Sequence, residues 1–537
     1  MAKPIIRESG LQKGLPKKTQ SLCPECLKII DAELRDVDGK LMMFKTCPTH
    51  GEFSEVVWSN TEDYLRIEDE ARDGNGVDNP KITDAVKCPF ECGLCDMHKS
   101  TTSLANLDLT NRCNLKCPVC FANANAAGYV YEPTYEQVVE MMKNLRAERP
   151  VPVPAIQFAG GEPTIYPKFM EVISKAKELG FAQIQVATNG IKIVEEEDFA
   201  QRMLDAGMHT VYLQFDGFKR ENYIQARGKD LLDTKMEALK RLENTKPTPL
   251  ATVLVPTMIK TINDDEAGKM VDFAVEKRNV VRAINFQPVA FTGRIDQDER
   301  KKFRYTISDL IHDLTEQTDY IQPTDFHTVP SVAPISYLAS VVTGQPKVAF
   351  TAHPACGAST FLYVDPAGKP TPITRFIDVV GLFKEMEKLA KKTDNPVIKT
   401  VLKFGSTLKS DESKRKSAIK AFKKYFDQYV ITDNIPSGLP TDMSEMLSTV
   451  LVEGNKESMK GIAWNTVMIG TMHFQDLYNY DIERVKRCVI HYAVPDGRII
   501  PFCAYNGGPT YRTAVEKKFS MSFAEWAEKN KGKDINS

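Results

Sequence analysis

A chain of 537 residues is too long for one ordinary core and implies three or four units, at about 150 residues each. With 42% apolar and 26% charged residues it has a globular composition, and a formal net charge of −1 supplies no field to gather nucleic acid or acidic lipid. No run of about 18 apolar residues suggests a membrane span, and the first residues, Met1 to Arg7, lack the apolar core of a secretion signal. The expectation is a cytoplasmic protein with no transmembrane segment and no nucleic-acid partner.

In chain order, residues 1–62 read as a small metal-binding ribbon. Cys23-Pro-Glu-Cys26 and Cys47-Pro-Thr-His50 have the spacing of two knuckles around one mononuclear iron or zinc ion, with His50 a ligand or a bystander. Residues 63–100 read as a linker, turn-rich at Asp73–Pro80, that carries a second motif, Cys88, Cys92 and Cys95. Residues 101–310 form the core. Apolar strands are predicted at Leu104–Leu109, Ala155–Ala159, Ile184–Thr188, Thr210–Phe215, Ala251–Pro256 and Ala283–Gln287, with helices between them. One helix starts at Thr134, where Gln137 completes a capping box, and another buries Phe169, Val172, Ile173 and Ala176. Six strand–helix units predict an α/β fold, a partial (β/α)6 TIM-type barrel, with its chemistry at the C-terminal strand ends. Residues 311–440 are mixed and helical, lysine-rich over 380–430, where a solvated helical face is the simplest reading. Residues 441–537 read as a mixed α+β C-terminal auxiliary domain. Cys356 and Cys488 each precede a strand, a Pro/Asp/Gly turn and a return strand, the second ending at Cys503, which suggests an imperfect repeat.

Nine of the twelve cysteines lie in the first 120 residues, and in a long chain without an export signal such grouping reads as metal ligation. Cys113-Asn-Leu-Lys-Cys117-Pro-Val-Cys120 directly follows the first predicted strand. Three thiolates at this spacing hold three irons of a [4Fe–4S] cube and leave the fourth iron vacant, whereas a structural zinc site has four ligands. Downstream, Gly160-Gly161-Glu162-Pro163 ends the second strand, Thr188-Asn189-Gly190 the third, and Gln214-Phe215-Asp216 the fourth, with Arg227 just beyond.

This order of motifs resembles the radical S-adenosylmethionine (SAM) superfamily. Val119 stands where that family commonly carries an aromatic residue. The resemblance implies that Cys113, Cys117 and Cys120 hold the SAM-cleaving [4Fe–4S] cluster. It also implies that Gly160, Gly161, Glu162, Asn189, Gln214 and Arg227, with Asp216 a weaker candidate, contact SAM. Glu162 or the strand-end carbonyls would accept from the SAM ammonium. One electron from the reduced cluster would break the S–C5′ bond and release a 5′-deoxyadenosyl radical. Cys88, Cys92 and Cys95 then read as an auxiliary cluster whose fourth ligand is His98, Cys356 or exogenous. Cys356, Cys488 and Cys503 are candidate ligands of one or two such clusters.

The ribbon, the Cys88–Cys95 element, the Cys113–Cys120 core, Phe286–Arg294 and Pro372–Phe376 together resemble one branch of the superfamily. It contains archaeal tetraether lipid synthases and class D methylases of pterin precursors. The main expectation is a tetraether lipid synthase that couples the terminal methyl carbons of isoprenoid lipid tails. The alternative is a class D methylase acting on a pterin precursor, and an iron–sulfur electron-transfer protein is a third. The implied partners are a lipid or pterin substrate and a reductant such as ferredoxin or flavodoxin, with peripheral membrane contact if the substrate is lipid. A long apolar tunnel would indicate lipid; a compact cavity with paired carboxylates or amides would indicate pterin.

Overall fold

The computed structural model describes residues 6–391, 412–453 and 465–535, apart from 297, 344, 441, 510, 533 and 534. Part of the lysine-rich stretch, 392–411, therefore lies outside the described residues. The ribbon is a four-stranded antiparallel meander of β1 (Lys17–Leu22), β2 (Ile29–Val37), β3 (Lys40–Cys47) and β4 (Gly51–Trp58). Asp38 and Gly39 turn β2 into β3 with φ of 52° and 77°, the left-handed pair that a two-residue hairpin requires. Alternation along β2 and β3 buries Ala32, Leu34, Leu41 and Met43, and these join the same apolar cluster as the core strands.

All six predicted core strands are present: β5 (Leu104–Thr110), β6 (Ala155–Gly160), β7 (Gln183–Thr188), β8 (Thr210–Gln214), β9 (Ala251–Val255) and β10 (Val281–Pro288). They pair in parallel and in sequence order, as crossover helices require. Thr134 and Gln137 cap helix Tyr135–Arg146 reciprocally. Helix Phe169–Glu178 buries the predicted Phe169, Val172, Ile173 and Ala176.

The parallel array is nevertheless longer than six. After β11 (Gly357–Val364) and β12 (Pro370–Pro372), β13 (Thr466–Met472) pairs in parallel with β10. β14 (Ile490–Ala493) pairs in parallel with β5 and is followed by β15 (Ile499–Pro501). The order is thus β14-β5-β6-β7-β8-β9-β10-β13, with β11 and β15 added antiparallel outside its two ends. β13 and β14 do not pair with each other, so the barrel stays open along that seam. Both cysteine-led repeats are hairpins, β11–β12 and β14–β15, one at each edge of the sheet. Among the described residues, no helix is long and apolar enough to cross a membrane.

Candidate active site at the strand ends

β5 delivers the chain straight into the Cys113–Cys120 loop. Asn125 laces that loop by accepting from the Cys113 amide at 3.0 Å and donating to the carbonyls of Cys113 at 2.6 Å and Leu115 at 3.1 Å. Arg227 donates to the Val119 carbonyl at 3.4 Å, and the Arg294 amide to that of Cys120 at 3.0 Å. The three thiols sit in one small apolar cluster and line one cavity of about 270 Å³. Burial pushes the Cys113 and Cys117 thiols up. Three thiols converging on a cavity, with no fourth cysteine in that cluster, fit a cube with one open iron.

The residues expected around SAM divide into two groups. Gly160 and Gly161 are needed for chain packing: a Cβ at either would stand 2.3 Å from Thr110 O or 2.1 Å from Arg112 O, the backbone leading into Cys113. The Glu162 carboxylate is already engaged. It accepts from Thr164 N at 3.2 Å, Thr164 Oγ1 at 2.5 Å, Thr188 Oγ1 at 2.7 Å and Asn189 N at 2.8 Å. These bonds pin the end of β6 to the end of β7 through Glu162. Asn189 reaches the cysteine loop, donating to Asn114 Oδ1 at 2.6 Å. Asp216 is fully buried in a bidentate pair with Arg227, at 2.7 and 2.8 Å, and is not a ligand-facing group. Arg227 and Gln214 do line the cavity. Burial opposes the Arg227 charge, but the Asp216 carboxylate raises its pKa.

Lys235 is the first of several site residues that the sequence does not single out. Lys235 is fully buried and donates to Asn189 O and to Gln214 Oε1, the latter at 3.3 Å. Burial brings its pKa down to about 8. Nothing in a helical lysine signals this position.

Deeper in the barrel the strands carry an amide belt that the apolar patterning also concealed. Gln185 Nε2 donates to Gln157 Oε1 at 2.7 Å, and Gln157 Nε2 to Asn106 Oδ1 at 2.7 Å. The chain of bonds runs one way, so the Asn106 amide nitrogen is left facing the cavity. Asn285 is 5% exposed and lines the same cavity, its side chain with no hydrogen-bond partner among the described residues. Gly470, opposite Asn285 in the β10–β13 register, brings no side chain into this space. At the open seam Phe474 stacks on Phe502 at 3.8 Å, with Tyr492 tilted against Phe502 at 5.4 Å.

The other cysteines form two assemblies. In the ribbon, the ligand atoms of Cys23, Cys26, Cys47 and His50 all lie within 4.8 Å of one another. His50 Nδ1 stands 3.6 Å from Cys23 Sγ and 3.5 Å from Cys47 Sγ, so it occupies a ligand position. The Thr49 amide leads the effects that draw the Cys47 thiol down to about 6. This donor set fits one tetrahedral ion.

The second assembly joins the early and late motifs. Cys88, Cys92 and Cys503 share one buried cluster, with Cys356 and Cys488 packed against it, and the buried Cys95 lies outside that cluster as an electrostatic neighbour of Cys88 and Cys92. Arg484 is buried there, donating to Cys356 Sγ at 3.4 Å, and Gln475 N donates to Cys503 Sγ at 3.4 Å. The Tyr480 hydroxyl is buried with no partner, and Cys88, Cys503, Cys92 and Cys488 are its main electrostatic neighbours. A buried cation and an orphaned hydroxyl among thiols fit a sulfur-rich anionic cluster. His98 lies beside the late segment. Its Nε2 lies 2.8 Å from the Cys488 carbonyl and 3.1 Å from His491 Nε2.

Residues 107–274 match the family model described as the radical SAM superfamily, and residues 15–59 that described as the HMPTM N-terminal zinc ribbon domain. The chain is 45% identical over 527 residues to the 7,8-dihydro-6-hydroxymethylpterin dimethyltransferase of Methanocaldococcus jannaschii, covering 96% of this chain and 98% of that one. It is 30% identical over 221 residues to a GTP 3′,8-cyclase of Chlorobaculum tepidum, covering 39% of this chain and 63% of the other. Among solved structures, Streptococcus suis SuiB superposes with a TM-score of 0.34 at 17% identity, over 41% of this chain and 47% of that chain.

Proposed function

The chain belongs to the family of the Methanocaldococcus jannaschii pterin dimethyltransferase, within the radical SAM superfamily, and from that premise we propose that it is a radical methylase of a reduced pterin precursor. The likeness spans nearly both chains and supports the pterin alternative over the tetraether-lipid reading. Cys113, Cys117 and Cys120 would hold the cluster that, with SAM bound, supplies the 5′-deoxyadenosyl radical. Gln214, Arg227 and the strand-end backbone, which line the cavity, would hold SAM. Glu162, Asn189 and Lys235 keep those strand ends in register.

The observation that carries the substrate class is a pair of amides in a compact cavity: Asn106, whose oxygen is taken by Gln157 and whose nitrogen is left, and Asn285, whose side chain has no hydrogen-bond partner among the described residues. A pterin's pyrimidinone edge presents an N–H donor beside a carbonyl acceptor, the complement of a side-chain amide. Its flat ring matches the aromatic wall of Tyr492, Phe474 and Phe502. A hydrocarbon tail would leave the Asn106 nitrogen and the Asn285 amide unpaired, at about 1–3 kcal/mol each. The apolar side of the seam, with Met472 and Ile490 beside those rings, is the feature that favours the lipid reading.

Anaerobically reconstituted, reduced enzyme given SAM, a one-carbon donor and 7,8-dihydro-6-hydroxymethylpterin separates the two. Mass spectrometry should find methylated pterin. Unmodified pterin alongside coupled isoprenoid tails from archaeal diether lipid would overturn the reading.

A further inference from the structure

The segment Val289–Arg294, which continues β10, lies as a strap across the cysteine loop. Gly293 has φ of 72°, and a Cβ there would stand 2.3 Å from Cys120 O and 2.6 Å from Phe121 O. Arg294 donates its amide to Cys120 O at 3.0 Å and its guanidinium to Ala124 O. Farther back, Thr292 Oγ1 donates to Asn506 O at 2.8 Å, and the Phe291 amide to Asp476 Oδ2 at 3.0 Å. The strap therefore touches the loop on one side and the β13–β14 connection on the other.

Behind the strap sits a buried ion network. Arg304 donates to Asp476 at 2.7 and 3.2 Å and to Glu55 Oε2 at 3.2 Å. Side-chain exposures are 4% for Arg304, 0% for Asp476 and 6% for Glu55. The Arg304 guanidinium also lies 4.7 Å from the centroid of the Phe291 ring. Glu55 belongs to β4 of the metal ribbon, and Arg300 reaches it as well. A second tie is Lys45 of β3, whose ammonium donates to Leu477 O at 2.6 Å. A cation enclosed between two carboxylates from segments far apart in sequence holds those segments to one geometry, because neither charge can be left unpaired out of water.

We propose that the metal ribbon braces the active site: Glu55, Arg304 and Asp476 are positioning residues that transmit the ribbon's order to the Phe291–Arg294 strap and so keep the cysteine loop closed. Each link is a direct contact: ribbon strand to Arg304, Arg304 to Asp476 and Phe291, and strap to Cys120. Nothing in this relation depends on which substrate is used, so it stands or falls separately from the pterin reading.

The test is hydrogen–deuterium exchange on the reconstituted holoenzyme, read at the amides of Phe291 to Arg294. In Glu55→Gln, which keeps the shape and removes the charge, exchange there should rise on the order of tenfold. Abortive 5′-deoxyadenosine formation in the absence of substrate should change with it, at unchanged iron content. If the variant does not fold, chelation of the ribbon ion from the wild-type protein, with cluster absorbance retained, provides a second measurement. Increased exchange should then reach the strap as well as residues 15–59. Strap exchange unchanged in the variant, or an increase confined to the ribbon on chelation, would overturn the proposal.

Discussion

Arg227 and Asp216 show how a single pair of side chains can hold a reactive loop. Their bidentate contact is fully buried, and the same guanidinium reaches Val119 O beside Cys120 and Thr257 Oγ1 at 2.8 Å. Truncation to Arg227→Ala leaves Asp216 charged and unpaired, so a loss of about 3–5 kcal/mol is expected, read as a lower thermal midpoint. Glu148 supplies a pH signature. Burial raises its carboxyl to about 7, against the hydrogen bonds from Thr102 N and Oγ1 that lower it. Between the ordinary carboxylate range and that value the folded chain binds more protons than the unfolded one, so stability falls as pH rises through the window. Glu148→Gln should flatten that dependence and be more stable than wild type at pH 8, by up to about 3 kcal/mol. Equal thermal midpoints for the two proteins across this range would refute the assignment. Cys113, Cys117 and Cys120 were legible because their spacing is local. Lys235, Arg484 and Tyr480 were not, because their importance arises from partners 46, 128 or more positions away, or from burial alone.

At the scale of elements, strands and caps were readable and the belt between them was not. Short apolar runs placed β5 to β10 within two residues at each end, since a strand buried on both faces leaves a compact apolar run. The Thr134–Gln137 box marked its helix for an equally local reason. Asn106, Gln157, Gln185 and Asn285 looked like polar interruptions in those strands, and only the pairing register of β5, β6 and β7 sets the first three side by side. Replacement of one belt member should therefore affect substrate and spare initiation. Asn285→Leu is expected to raise KM for the pterin about 10- to 100-fold, the equivalent of one lost hydrogen bond to a buried group. Reductive SAM cleavage should persist in that variant, and steady-state kinetics beside 5′-deoxyadenosine release would separate the two effects.

For the whole molecule, the late segment is part of the core. β13 and β14 extend the parallel array at both ends, and the thiols of Cys488 and Cys503 are carried back to Cys88 and Cys92. The hairpin repeat hinted at this, but more than 150 residues separate β10 from the start of β13, too far for pattern alone to reveal the pairing. The arrangement gives the early and late cysteines distinct expected roles. Cys92→Ala should retain SAM cleavage and lose methylated product, because its assembly lies apart from the Cys113–Cys120 cluster. Product at the wild-type level in that variant would remove the auxiliary role. The central claim, that Cys113, Cys117 and Cys120 initiate radical chemistry on SAM, is tested most directly by measuring 5′-deoxyadenosine from anaerobically reconstituted, dithionite-reduced protein. Wild type should release it and Cys117→Ala should not; release by Cys117→Ala at the wild-type rate, or none from wild type, would contradict the account.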